Sequence, residues 1–185
     1  MDNIIKKDLY RYIGSNCHSI LYQIRYYLFT PAFRYIFFFR KAQKKSRFHL
    51  LWVFLLKRYS VRTGIQIPYQ TSIGEGLYLG HFGQIIINER VKIGYDFNIA
   101  AGALIGASQG KRKGYPTIGD NVKVGTNAVI IGNVKIGNNV LVAPGAFINF
   151  DVPNNSVVIG NPGKIISKDY DPVKPYNRNP VHNFK

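Results

Sequence analysis

The chain has one cysteine, Cys17, in 185 residues, so no internal disulfide can staple it and a reduced compartment is allowed. Acidic residues are scarce: nine Asp+Glu stand against 25 Lys+Arg, for a formal net charge of +16. Residues 1–62 hold 13 of the basic residues and only Asp2 and Asp8 as acids. Such a field favours polyanionic partners: nucleic acid, an anionic membrane surface or phosphorylated ligands. Long apolar runs are missing too. The longest, Tyr35–Phe39 and Leu50–Leu56, fall far short of the roughly 20 residues that a spanning helix needs. The charged start carries no apolar stretch before a small-residue cleavage site, so no secretory signal is expected. There is no phosphate-cradling Gly loop of the nucleotide or dinucleotide type, and His18, His49 and His182 show no ligand spacing with Cys17 or a carboxylate. No metal is expected. The aromatic residues come in apolar clusters instead of singly as stacking platforms, which argues against nucleic acid.

What is present is an apolar residue that returns every six positions, at Ile118, Val124, Ile130, Ile136, Val142 and Ile148. The same period runs through Ile87, Ile93, Ile99 and Ile105, and through Ile67, Ile73, Leu79 and Ile85. Neither a helix nor a two-sided strand has this period. A parallel β-helix does, because each short strand sends one side chain inward before the chain turns a corner. Eighteen residues make one coil of three strands, giving coils at 67–84, 87–104, 118–135 and 136–153, with 154–167 as a closing piece. The two-residue offset between Ile85 and Ile87 implies a bulge or local insertion, and Gly106, Gly110 and Gly114 make residues 106–116 an excursion from the wall.

Three segments follow. In 1–62, Ile13, Ile20, Leu21, Ile24 and Leu28 suit one helical face, and Pro31 opens a second helix over about 32–44, with a third over 47–60. These helices either pack on the main domain and cap one end of the coils, or form an interfacial anchor. In the anchor, aromatics sit at headgroup depth and Arg34, Arg40, Lys41, Lys44, Lys45, Arg47, Lys57 and Arg58 face anionic lipid. Residues 63–167 are the β-helix, and 168–185 form an irregular tail without an apolar period.

The segment Ile67–Ile166 resembles the hexapeptide-repeat acyltransferases, and within them the serine acetyltransferase branch, which includes capsule and exopolysaccharide O-acetyltransferases. The resemblance rests on ordered motifs: Ile73-Gly-Glu-Gly-Leu-Tyr-Leu-Gly-His81, Ile87-Asn-Glu-Arg-Val-Lys-Ile-Gly94, the Gly106 loop, the run Val124–Gly137, and Val158-Ile-Gly-Asn-Pro-Gly-Lys164. It implies a mainly β chain: a left-handed parallel β-helix preceded by an α-helical segment. The hand comes from the resemblance alone, since the usual crossover rule favours the opposite one. It further implies a homotrimer with active sites at the subunit interfaces, and acetyl-CoA as co-substrate.

By the same resemblance His81 falls on the catalytic histidine, a general base that takes a proton from the attacking hydroxyl. Glu89 matches an acidic position of the serine acetyltransferase motif. Three positions depart. Gln66 stands where the family has an aspartate, Gly80 replaces the acid before the histidine, and Tyr115, preceded by Gly114, replaces a second histidine preceded by a basic residue. Gln66 remains able to hydrogen-bond the imidazole. The cofactor positions implied are Gly106, Ala107, Ser108, Lys123, Thr126, Ala143 and Pro144, with Lys111, Arg112, Lys113 and Lys164 offered to the nucleotide phosphates. A solvated loop tip is the competing account of the Lys-Arg-Lys run.

The uncharged set Gln66, Gly80 and Tyr115 points to a neutral hydroxyl acceptor. The leading expectation is therefore acetylation of a sugar hydroxyl in capsular or exopolysaccharide assembly, by a cytoplasmic enzyme peripheral on the inner face of the membrane. Serine O-acetylation for cysteine synthesis is the alternative, and a non-catalytic β-helix scaffold at the membrane is the alternative of another class.

Overall fold

The computed structural model describes residues 1–184. Among these residues, fifteen short strands, numbered β1 to β15 in chain order, wind into a three-sided β-helix. The first side stacks β1 (Ile65–Gln66), β4 (Ile85–Ile87), β7 (Leu104–Gly106), β10 (Val129–Ile131) and β13 (Phe147–Ile148). The second stacks β2 (Ser72–Ile73), β5 (Lys92–Ile93), β8 (Thr117–Ile118) and β11 (Lys135–Ile136). The third stacks β3 (Tyr78–Leu79), β6 (Asn98–Ile99), β9 (Lys123–Val124), β12 (Val140–Val142) and β14 (Ser156–Ile159), and ends on β15 (Lys164–Ser167). All pairings along the coils are parallel except β14–β15, an antiparallel hairpin that closes the far end. The residues of the six-residue period, from Ile67 to Ile148, are all buried. The expected architecture is the observed one.

The two irregularities in the period have definite places. Tyr78 to Ile86 takes eight residues, where the matching step one coil later, Asn98 to Leu104, takes six. The insertion is thus in the loop Gly80–Gln84, at the edge between the third and first sides. Ile105 to Ile118 takes 13 residues against six for Ile130 to Ile136. That excursion leaves the edge between the first and second sides and closes on itself through two Ser108–Gly114 backbone hydrogen bonds of 3.2 Å.

Four helices precede the coils: α1 (Asn3–Ile13), α2 (Ile20–Phe29), α3 (Pro31–Gln43) and α4 (His49–Thr63). Pro31 opens α3, where its missing N–H loses nothing. The expected single face through Ile13, Ile20, Leu21, Ile24 and Leu28 is corrected by the structure. Gly14, at φ +58°, breaks the helix after Ile13, and the other four side chains lie exposed on α2. The row Phe33, Tyr35, Ile36, Phe38 and Phe39 of α3 is buried instead.

The helices cover the edge of the first coil, whose outward backbone groups have no preceding coil to pair with. Polar side chains replace that missing coil. The Tyr35 hydroxyl accepts from Ile67 N (2.9 Å) and donates to Ile67 O (3.0 Å). The Tyr12 hydroxyl does the same at Leu79 (3.1 and 2.9 Å). Arg40 donates to Ile73 O (2.7 Å) and Gly74 O (2.6 Å), Asp8 accepts from Leu77 N (2.8 Å), and Arg11 donates to Gly76 O (2.8 Å). Asp8 and Arg40 are themselves a buried bidentate pair, at 2.7 and 3.2 Å. Burial pushes the Asp8 carboxyl up, opposed by Arg40 and the Leu77 amide.

At the corner between the second and third sides, Asp96, Asn121, Asn139 and Asn155 take left-handed φ of +51° to +55°, a conformation that Asn and Asp tolerate. The asparagines stack: Asn121 donates to Asn139 Oδ1 and Asn139 to Asn155 Oδ1, both at 2.9 Å. The tail docks on this column. Asn177 donates to Asn121 Oδ1 (3.0 Å), Asp171 accepts from Asn121 (2.8 Å), and Val181 N donates to Asp96 (3.0 Å). The first coil has Gly76 at this corner, at φ +79°, where a Cβ would lie 2.5 Å from Val181 and 2.7 Å from Asp96. The tail is therefore ordered against its own chain, through two short 3₁₀ turns.

Two predictions follow from the cap. Removing one partner of the buried Asp8–Arg40 pair strands the other charge, so Asp8→Ala and Arg40→Met each lower stability by about 3–5 kcal/mol. In a denaturant double-mutant cycle the double variant loses less than the sum; simple additivity would refute the coupling. Burial also raises the Tyr35 phenol to about 12, above the roughly 10 of an unfolded tyrosine. The stability it contributes is whole below about pH 10 and is lost as pH climbs through 12. The wild type should weaken across that window more steeply than Tyr35→Phe, and parallel curves would show that the phenol is not the titrating group.

Candidate active site

His81 sits on the inserted loop. The Gly80 amide donates to Ile99 O (3.1 Å) and the Gly83 amide to Thr63 O (2.9 Å), so both ends of the loop are fixed while the imidazole stays exposed. Gly83 takes φ +131°, a region that few side chains enter. Below His81 the same edge of the prism continues through Ala100, Gly125, Thr126, Ala143 and Pro144. These are small residues, and a row of them leaves a channel. The result is a groove of about 720 Å³ that holds His81, Gly80, Lys123, Thr126, Ala143 and Pro144 together. Six of the expected positions are thus neighbours in one groove.

The opposite wall has no counterpart in the sequence pattern. It is made by Pro175, Tyr176, Arg178 and Asn179 of the tail, with Arg11 and Tyr12 of α1 closing the top beside Tyr78 and Asn98. Lys123 Nζ lies 3.8 Å from the centre of the Tyr176 ring, a cation–π contact, and desolvation pulls its pKa down. Arg11 is held by Asp96 at 2.8 Å. Arg178 is exposed and has no ion-pair or hydrogen-bond partner among the described residues.

The other expected positions lie outside this groove on a single chain. Gln66 is exposed on β1 and makes no side-chain hydrogen bond, so nothing among the described residues holds the His81 ring. Glu89 is exposed on the turn after β4. Gly106, Ala107, Ser108, Lys111, Arg112, Lys113, Gly114 and Tyr115 belong to the excursion at another edge of the prism. There Arg112 pairs with Asp151 at 2.9 Å and Arg90 lies 5.3 Å from the Tyr115 ring centre. Lys164 is exposed on β15. For Glu89 and the excursion the reason is geometric: they stand at the edge between the first and second sides, and residues at different corners of one prism cannot converge.

Chemically, the groove offers an exposed imidazole at one end, a floor of small residues, and cations on the tail side. That combination suits proton removal from a hydroxyl beside an extended anionic co-substrate.

Residues 115–149 match the family model described as bacterial transferase hexapeptide (six repeats). Over 150 residues the chain is 35% identical to serine acetyltransferase 4 of Arabidopsis thaliana, covering 80% of this chain and 41% of that protein. Over 130 residues it is 33% identical to the serine acetyltransferase of Helicobacter pylori, covering 69% of this chain and 75% of the relative. The chain spans less than half of the plant relatives it matches, 41% and 36% of their lengths. Among solved structures, the Neisseria gonorrhoeae serine acetyltransferase in complex with serine aligns with a TM-score of 0.71 at 29% identity, over 89% of this chain and 68% of that one.

These relatives overturn the expectation of a sugar hydroxyl in capsule or exopolysaccharide synthesis, because they are serine acetyltransferases. The fold is that of the left-handed β-helices, and the chain belongs to the serine acetyltransferase family of hexapeptide-repeat transferases.

Proposed function

We propose that this chain transfers an acetyl group from acetyl-CoA to the hydroxyl of serine, with His81 as general base. The observation that carries the reading is the single groove holding His81 beside Lys123, Thr126, Ala143 and Pro144, in a chain of this family. The neutral imidazole takes the hydroxyl proton as the oxygen attacks the thioester carbonyl carbon. The tetrahedral oxyanion needs a donor, and the Thr126 amide is the candidate on this edge: the Ala100, Gly125 and Ala143 amides already donate to the next coil, and Pro144 has none. As the C–S bond breaks, the imidazolium returns the proton to the departing thiolate of coenzyme A. No acyl-enzyme is needed, because both substrates meet in the groove.

A homotrimer completes the site in this reading. The loop with Gly106, Ala107, Ser108, Lys111, Arg112 and Lys113 leaves one edge and His81 stands on another. A neighbouring copy is what brings a loop to a histidine. Lys111 and Lys113 then serve the nucleotide phosphates, and the exposed Arg112–Asp151 pair holds its loop only weakly. Gly114 and Tyr115 reach the acceptor from that neighbour. Arg178 supplies the cation that a serine carboxylate requires, standing in for the basic residue that Gly114 lacks.

Two measurements test this. His81→Ala should lower kcat for serine-dependent thiol release from acetyl-CoA by at least ~10²-fold in a folded protein. Near-normal turnover would remove the mechanism, and no serine-dependent release by the wild type would favour a non-catalytic scaffold. Arg178→Ala should raise KM for serine about tenfold or more while KM for acetyl-CoA stays within about twofold. The reverse pattern would place Arg178 on the co-substrate instead.

A further inference from the structure

The helical cap carries a second surface, and it keeps only part of the set that composition alone suggests. The aromatic row of α3 is core, Arg40 is consumed by Asp8, Lys41 and Lys44 pair with Asp2 at 3.1 and 3.2 Å, and Arg34 donates to the Tyr27 and Leu28 carbonyls at the end of α2. None of these provides an anchor.

Exposure falls on α2 and α4. In α2 only Gln23 is buried, although the helix is mostly apolar; Leu21 is 74% exposed and Phe29 77%. In α4, Leu50 (81%), Leu51, Phe54 and Val61 (89%) stand out along one stripe. Both helices pack on α3, and Tyr27 and Leu28 of α2 share one shallow groove with Leu55, Arg58 and Arg62 of α4, so the two exposed faces adjoin. Interleaved with the apolar residues are Arg25, Lys45, Arg47, Lys57, Arg58 and Arg62, six exposed cations without an ion-pair partner among the described residues. Between Asp8 and Glu75 the chain has no acidic residue at all.

We infer that the α2–α4 face docks on an anionic lipid surface, lying in the plane of the interface with Leu21, Phe29, Leu50 and Phe54 among the headgroups. Charge decides between the occupants. A second copy seated on the same face would set these cations against their own equivalents, with no acid to separate them. Anionic headgroups complement both features of the face. The contact is peripheral, since no helix of the described residues is long and apolar enough to cross a membrane.

The test is cosedimentation of the full chain with phosphatidylcholine vesicles, with and without phosphatidylserine. Binding should require phosphatidylserine at low salt and be released by high salt. The variant Arg25→Ala/Lys57→Ala/Arg58→Ala/Arg62→Ala and the variant Leu21→Ser/Phe29→Ser/Leu50→Ser/Phe54→Ser should each weaken partitioning at least about tenfold. Both alter exposed positions, and an unchanged thermal melt confirms folding. The inference is overturned by a wild type that stays in the supernatant at low salt, or by equal binding to neutral vesicles. It is also overturned if the apolar variant changes the oligomeric state while vesicle binding stays the same, which would give the face to a second copy. Thiol release from acetyl-CoA in the same preparations keeps this outcome separate from that of the acetyl-transfer reading.

Discussion

The first coil of a β-helix has no coil before it, and the unpaired backbone of that edge is the constraint on which the rest of this structure depends. The chain meets it with side chains instead of another strand. Tyr35 and Tyr12 each bind both the N–H and the C=O of one edge residue, while Asp8, Arg11 and Arg40 take the remaining groups. Burying Asp8 and Arg40 is tolerable because they neutralise each other and because both also bond the edge. The cap is thus both a plug for the coils and the fixed base of the groove, since Arg11 and Tyr12 belong to both.

From that base the groove is built of unlike parts. One wall is a repeat: small residues at one corner of successive coils. The other is the tail, held on the asparagine column and folded back toward α1, where Tyr10 and Phe184 pack edge to face. His81 lies where they meet because the first coil carries two extra residues at that corner. The residues of the other insertion stand at another corner, which divides the chemistry of the site between neighbouring chains in the proposed trimer.

Much of this was legible in the residues. The period placed one row of inward side chains from Ile67 to Ile148, though not the second row two residues before it, from Leu77 to Ala146. Its second failure marked the excursion after Gly106, while its first, at Ile85–Ile87, fell just past the loop of His81 where the extra residues lie. The positions Thr126, Ala143 and Pro144 came from the resemblance instead of the period, and the structure sets them in the groove with His81. The tail was not legible: Tyr176, Arg178 and Asn179 belong to no period, and their place is set by Asn177 and Asp171 reaching Asn121 from more than forty residues away. The acceptor was misread because the uncharged set Gln66, Gly80 and Tyr115 gave no sign of the cation Arg178, which lines the groove from the tail and belongs to no motif.

The sequence by itself determined the β-helix and its register, because a six-residue period calls for coils of three short strands, whichever their hand, and the periodic side chains must then point inward. Only the tertiary structure decided which polar residues of the first 62 are interior and which face solvent. Arg40 and Arg58 look alike in a basic, aromatic stretch. One is buried because an acid from another helix and two carbonyls of the open coil surround it; the other is exposed and has no acid to pair with among the described residues. Burial of a charge depends on partners distant in sequence, and those partners exist only once the cap has docked.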